Sequence, residues 1–116
     1  MIMRIALYLF VILFLSSCKS DAELSMERGI HYYEWQKYNE AVLEFNHAKY
    51  IQFAKKKKSY NDIKLLARTH YNLAITYSKL GLFEQASQEA MHAYNLIPNK
   101  EYRELIQLIN QQLSSK

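Results

Sequence analysis

Residues 67–100 read ARTHYNLAITYSKLGLFEQASQEAMHAYNLIPNK, and their apolar pattern is the clearest indication of the fold. Leu73 and Ala74 fall within a first apolar run, Gly81 stands at a turn, and Phe83 begins a second run. Pro98 closes the stretch, as proline commonly does shortly after the end of a helix. The pattern predicts two helices joined by a tight turn.

An earlier stretch repeats this pattern at identical offsets, which indicates an internal repeat. It has Gly29, Tyr32, Ala41, Phe45 and Ala48 where the later stretch has Ala74, Tyr77, Ala86, Ala90 and Ala93. Small residues at Gly29 and Ala74 let the first helix of each pair press against the second at Ala41 and Ala86. We therefore predict two helical hairpins, over about 22–58 and 59–98.

Both copies resemble the tetratricopeptide repeat, a helix-turn-helix unit of about 34 residues. The second copy fills nearly every signature position, whereas the first has Arg28 where leucine is usual. Because the copies lie 45 residues apart, the first hairpin is expected to have lengthened helices. The excess, between Ile51 and Asn61, is expected mostly to lengthen the two central helices that flank it. Trp35 and Tyr38 are expected to plug the first hairpin corner. The predicted helices span 22–35, 38–57, 60–80 and 83–96, with Ser59 and Asp62 capping the third.

The residues after Pro98 predict a fifth helix, at 99–116, which covers the last hairpin. Asn99 can cap its start, and its apolar residues recur at helical spacing while the other face is polar. Terminal elements of repeat arrays commonly have this amphipathic character. The apolar positions are Tyr102, Leu105, Ile106, Ile109 and Leu113.

The composition favours an all-α fold and excludes several other classes. The chain has only two glycines and one proline, residues that β-rich folds use at their many turns. Its net charge of +4 is mild, so nucleic acid is not an expected partner. The histidines have no metal-ligand spacing, and we find no catalytic motif, so we expect neither a metal site nor enzyme activity.

The first seventeen residues are typical of a secretory signal peptide. Arg4 precedes an apolar run from Ile5 to Leu15, which is shorter than the ~20 residues that a membrane-spanning helix needs. Leu15-Ser16-Ser17-Cys18 resembles the lipobox of bacterial lipoproteins. The resemblance implies cleavage before Cys18, a covalent diacylglycerol on its sulfur and an N-acyl lipid on its new amino group. The alternative is an ordinary cleaved signal with a chance cysteine.

The resemblance implies a short lipidated tether, 18–21, before the first hairpin. It also allows a prediction of the membrane in which the protein is anchored. Lys19 follows the cysteine, where an aspartate would be a retention signal for the inner membrane in some bacteria. We therefore expect a lipoprotein of the outer membrane that faces the periplasm.

In the repeat family, the first helix of each hairpin lines a concave groove that holds a protein segment. The resemblance carries this role to a mostly apolar set of positions, and acidic residues on one helix against basic residues on the other would orient a guest. The alternative is that the C-terminal helix or the lengthened segment fills the groove. The predicted groove residues are Met26, Ile30, Tyr33, Arg68, Tyr71, Asn72 and Ile75.

The run from Lys55 to Lys58 has two interpretations. Clustered ammonium groups can bind anionic lipid headgroups or an acidic partner. They can equally be the solvated end of a helix, where they complement the helix dipole, and we favour this second interpretation.

The layout resembles the BamD (ComL) family of lipoproteins, which serve the machinery that inserts β-barrel proteins into the outer membrane. The stretch 33–41, YEWQKYNEA, carries the resemblance, which covers only the N-terminal half of that family. It implies a scaffold that binds protein partners, among them an outer-membrane β-barrel assembly protein. Alternatives are a solute-binding accessory of a periplasmic transporter and a scaffold of a pilus or secretion system.

Overall fold

A computed structural model describes residues 1–16 and 19–115. Within them all regular structure is helical, which confirms the predicted all-α class. Cys18, the predicted lipid attachment site, lies outside the described residues. The helices are α1 (Ile2–Ser16), α2 (Asp21–Glu34), α3 (Tyr38–Phe53), α4 (Tyr60–Lys79), α5 (Phe83–Leu96) and α6 (Lys100–Ser114).

Polar caps fix where the helices begin. The Ser59 hydroxyl accepts a hydrogen bond from the Asp62 amide at 3.2 Å, and the Asp62 carboxylate accepts one from the Ser59 amide at 2.8 Å. This reciprocal capping box satisfies two amides that α4 itself leaves unpaired. The Asn99 side chain accepts a hydrogen bond from the Tyr102 amide at 2.8 Å and caps the start of α6 with this single bond. Both predicted caps are therefore confirmed.

The two hairpins, α2–α3 and α4–α5, have the same backbone conformation in their turns. The Lys37 amide donates to the Tyr32 carbonyl at 2.8 Å, and the Leu82 amide donates to the Tyr77 carbonyl at 2.9 Å. The residue before each donor has a positive φ, 60° at Gln36 and 75° at Gly81. This is the Schellman ending of a helix, in which one left-handed residue reverses the chain. The structure is therefore helical and repeat-like.

Small side chains at the helix crossings hold each hairpin together. Ala41 and Ala48 on α3 and Ala86 and Ala93 on α5 are all 0% exposed. Ala74 on α4 is also buried and clusters with Ala86 and Ala90, which confirms the predicted packing of the second hairpin. Gly29 on α2 is buried too, but its nearest neighbour on α3 is the ring of Phe45 instead of the predicted Ala41.

The predicted corner plug at Trp35 is wrong. Its side chain is 64% exposed, because α2 ends at Glu34 and Gln36 turns the chain away. The indole stays on the surface, with its ring centroid 6.0 Å from that of His31. Tyr38 is half-buried against Tyr33, with 5.4 Å between ring centroids.

The predicted lengthening of both central helices is correct for α4 and wrong for α3. Helix α4 has 20 residues and is the longest, whereas α3 ends at Phe53 and leaves a loop over 54–59. Lys55 and Lys58, which are three residues apart, would be like-charged neighbours on one face of a longer α3, which is unfavourable. The capping box at Ser59 also starts the next helix immediately after them.

Helix α6 packs against the second hairpin, as predicted. Ile109 joins Ala74, Ala86 and Ala90 in one apolar cluster, and Tyr102 joins Ala67 and Ala93 in another. The helix therefore covers apolar residues from both α4 and α5.

The apolar helix α1 has a different character from the rest. Its described side chains, from Ile2 to Val11, are exposed, and among the described residues α1 forms no extensive interface with another helix. Within the described residues, no helix combines the length and the apolar character that crossing a bilayer requires.

Candidate protein-binding groove

Three adjoining cavities lie along the face that α2, α4 and α6 form. Their volumes are about 370, 360 and 440 Å³. Ile30 lines both the first and the second cavity, and Ile75 lines both the second and the third. Because neighbouring cavities share a wall residue, they form one continuous depression, which we call the groove.

The first cavity has an apolar floor and a charged rim. Met26 and Leu65 form the floor, and Met26 is only 2% exposed, so it belongs to both the core and the groove. Lys19 pairs with Glu27 across this cavity. The rim separates charges by helix, with Glu23 and Glu27 on α2 and Lys64 and Arg68 on α4.

The second cavity lies at the centre of the groove and is mainly apolar. Ile30 and Tyr33 of α2 face Ile75 of α4, and the ring of Phe45 closes the bottom. Asn72 adds an amide, which can pair with the backbone of an extended guest or with a polar side chain. Glu34 continues the acidic rim of α2.

The third cavity extends the groove onto α6, and the sequence did not predict this part. Leu108 of α6 is 59% exposed and lines the cavity together with Leu105 and Ile109. Lys79 continues the basic rim of α4. The spacing of Leu105, Leu108 and Ile109 was the available signal, because residues three and four apart share a helix face.

Six of the seven predicted groove residues line these cavities, and Tyr71 does not line them. Its ring lies 5.0 Å from the ring of Tyr102 on α6, centroid to centroid. Burial, together with a hydrogen bond to the Glu101 carboxylate, raises the pKa of Tyr71 to about 12. The alternative that the C-terminal helix covers predicted groove residues therefore applies to Tyr71, which supports α6. The six lining residues are Met26, Ile30, Tyr33, Arg68, Asn72 and Ile75.

A partly buried polar network lies among α3, α4 and α5. His70 is 4% exposed, and its Nδ1 lies 2.5 Å from one carboxylate oxygen of Glu89. Lys49 Nζ lies 3.1 Å from the other oxygen. Burial disfavours the charged form of Glu89, but the His70 hydrogen bond and the Lys49 charge outweigh it, so the pKa of Glu89 is lowered. This network joins the two hairpins.

No group of three or more His, Cys, Asp or Glu side chains within the described residues is arranged to hold a metal ion. The groove combines an apolar floor with two rims of opposite charge, and such a combination suits the binding of a peptide.

Comparison with protein-family models finds none that matches the chain, and comparison with curated proteins finds no significant relative.

Proposed function

We propose that the protein is a lipid-anchored scaffold that holds a segment of a partner protein in the groove. The observation that carries the proposal is the continuity of the groove, which Ile30 and Ile75 establish across three helices. An isolated pocket would suit a small solute, whereas a long open depression suits an extended segment or a helix.

The proposed guest is an amphipathic helix, which the chemistry of the groove supports. A helix of about 10–12 Å diameter presents apolar side chains at i, i+3, i+4 and i+7, which match a sequence of apolar depressions. The central cavity, with Ile30, Tyr33 and Ile75, takes the main apolar anchor. Aromatic and aliphatic anchors at the centre of an interface usually contribute most of its binding energy.

The opposed charges of the rims give the guest a preferred orientation. Glu23 and Glu34 lie on the α2 side, where Glu27 is already paired with Lys19, and Lys64 and Arg68 lie on the α4 side. A guest with basic residues along one flank and acidic residues along the other would satisfy both rims. Its reversed orientation would place like charges together, which is unfavourable.

The proposed identity is a tetratricopeptide-repeat lipoprotein similar to the BamD family. The lipobox ending at Cys18 and the two equivalent turns at Gln36 and Gly81 support it. The proposed place of work is the periplasmic face of the outer membrane, in the assembly of β-barrel proteins. The partner would then belong to that assembly machinery.

Affinity purification from mildly solubilised native membranes tests this function. Ile30→Glu combined with Ile75→Glu places two carboxylates on the groove floor and should abolish recovery of the partner. Leu43→Glu is the matched control, because Leu43 lies on α3 and is 71% exposed. Circular dichroism should show the same helical content for both variants.

The identity of the recovered protein separates the candidate functions. A β-barrel assembly protein, lost only from the groove variant, supports the proposal in full. Transporter subunits would favour a solute-binding accessory instead. Equal recovery of the partner protein with both variants would show that the groove does not bind it.

A further inference from the structure

The loop between α3 and α4 carries a cluster of lysines flanked by exposed aromatic rings. Lys55, Lys56, Lys57 and Lys58 are all exposed. Tyr50 and Phe53 on the last turns of α3 are 69% and 52% exposed, and Tyr60 on the first turn of α4 is 70% exposed. We call these seven residues the lysine–aromatic patch.

The patch retains positive charge after its internal pairs are counted. Lys55 pairs with Asp62 at 3.0 Å, and this carboxylate is also held by the capping box at Ser59. Lys58 donates to the Lys55 carbonyl at 2.9 Å and keeps its charge. Lys56 and Lys57 form no ion pair within the described part of the chain. Three lysines therefore stand without a compensating carboxylate.

The patch lies at the end of the molecule where the chain enters α2. Antiparallel packing brings the start of α2, the end of α3 and the start of α4 to one end of the bundle. Lys19, just before α2, lines the same cavity as Asn61 and Lys64 at the start of α4. Lys64 also stands over the Tyr60 ring, 5.7 Å from its centroid. The patch therefore lies at the same end of the bundle as Lys19, the residue that follows the predicted lipid site in the sequence.

We propose that the lysine–aromatic patch docks on an anionic lipid bilayer and so fixes the orientation of the groove relative to the membrane. The inference rests on the lipid anchor of the proposed function, which would keep the end of the bundle that carries the patch beside the lipid headgroups. Lysines close to an anionic surface gain roughly five-fold in partitioning each. Their attraction extends only about one Debye length, so the short tether is what makes the patch effective.

The exposed aromatic rings favour a bilayer over an acidic protein as the occupant. Tyrosine rings settle at the boundary between headgroups and acyl chains, where one side is apolar and the other is wet. Tyr50 and Tyr60 flank the lysines in this way, and Phe53 adds a wholly apolar ring. Such a combination of basic and aromatic residues is typical of surfaces that lie on membranes.

Tryptophan fluorescence in vesicles tests the proposal, because the chain has a single tryptophan. Trp35 lies at the far end of α2, about 20 Å from the patch along the helix. The mature protein as cells produce it, purified from their membranes, is reconstituted into vesicles that contain brominated lipid, which quenches only nearby indoles. One set of vesicles is zwitterionic and the other contains anionic phosphatidylglycerol. The reporter variant combines Tyr60→Trp with Trp35→Phe.

The reporter at position 60 should be quenched in anionic vesicles and much less in zwitterionic vesicles. Native Trp35 should stay unquenched in both. Adding Lys56→Gln and Lys57→Gln to the reporter variant, or raising the salt to 1 M, should abolish the quenching that depends on anionic lipid. Lys37→Gln with Lys79→Gln, a charge-matched change near the opposite end, should leave it unchanged.

Sedimentation of the same vesicles separates this inference from the proposed anchor. If the chain sediments with the vesicles but the reporter is equally quenched in both lipids or in neither, the patch does not bind anionic lipid and the anchor stands. If the chain fails to sediment with either vesicle, both claims are overturned. Quenching at Trp35 equal to that at position 60 would also overturn the proposed orientation.

Discussion

The ring of Phe45 lies so close to the backbone of Gly29 that a Cβ atom at position 29 would be 2.5 Å from Cε1 of the ring. Phe45 is 1% exposed, so it cannot simply swing into solvent. The equivalent pair in the second hairpin is Ala74 and Ala90, both 0% exposed. The two hairpins therefore fill the equivalent space between their helices differently. The first places the large ring of Phe45 against a glycine, and the second places two alanine methyl groups together.

Gly29→Ala should lower the free energy of unfolding, although alanine is the better helix former. The substitution gains about 1 kcal/mol in helix propensity. The clash with a buried ring costs about 1–3 kcal/mol, so we expect a net loss of up to about 2 kcal/mol. Urea unfolding followed by circular dichroism measures the change.

Removing the Phe45 ring should reverse the sign of the stability change that Gly29→Ala causes. In a Phe45→Ala background the new methyl group at position 29 faces a void, so Gly29→Ala should stabilise the protein by about 1 kcal/mol. A double-mutant cycle isolates this coupling. A loss of equal size in both backgrounds would show that the contact between positions 29 and 45 is not the cause.

The sequence predicted those parts of the fold that depend on local spacing. Ser59 with Asp62, Asn99 and the buried alanines are signals within a few residues of one another, and the structure confirms them. The end of α3 was not predicted, because glycine and proline are absent from 54–59 and the next helix begins at the capping box of Ser59. The surface position of Trp35 follows from a positive φ at Gln36, which few non-glycine residues adopt.

The polar network of Lys49, His70 and Glu89 also lay beyond sequence reasoning, because its members come from three helices. Nothing in the sequence around His70 indicated that it would have a carboxylate partner. In the groove, the repeat pattern placed the contributions of α2 and α4. The contribution of α6 depends on how that helix docks, which also removes Tyr71 from the lining.

Glu89→Gln should destabilise the protein at pH 7 and much less at low pH. The folded-state pKa of Glu89 is lowered from its ordinary value of 4.5, so its ionised form stabilises the fold above that value. This contribution is lost as the pH falls through the lowered pKa. We expect a loss of about 1–3 kcal/mol at pH 7, because hydrogen bonds to a buried charged group are lost.

Urea unfolding at several pH values from 7 to 3 measures this dependence. Glu104→Gln is the matched control, because Glu104 pairs with Lys100 on the exposed face of α6. Exposed pairs of this kind contribute about 0.5 kcal/mol or less. A Glu89→Gln difference that stays constant across the pH range would mean that ionisation of Glu89 does not stabilise the fold.

Cys18→Ser should release the protein from membranes, because it removes the atom that carries the proposed lipid. Three acyl chains, at about 0.8 kcal/mol per buried CH₂, would hold the native protein on a bilayer almost permanently. Labelling with radioactive palmitate and mass spectrometry of the mature N-terminus check the modification directly. Native protein without label, or with an N-terminus other than position 18, would contradict the lipobox assignment.

The claim on which the account depends is that the groove itself holds a segment of another protein. Site-specific photocrosslinking in cells that naturally make the protein measures this contact directly, with the crosslinking residue at Ile75 in the shared wall of two cavities or at Leu43 on the outer face of α3. We predict one discrete crosslinked protein from position 75, attached through an amphipathic segment, and none from position 43. The same adduct from both positions, or from position 43 alone, would contradict the account.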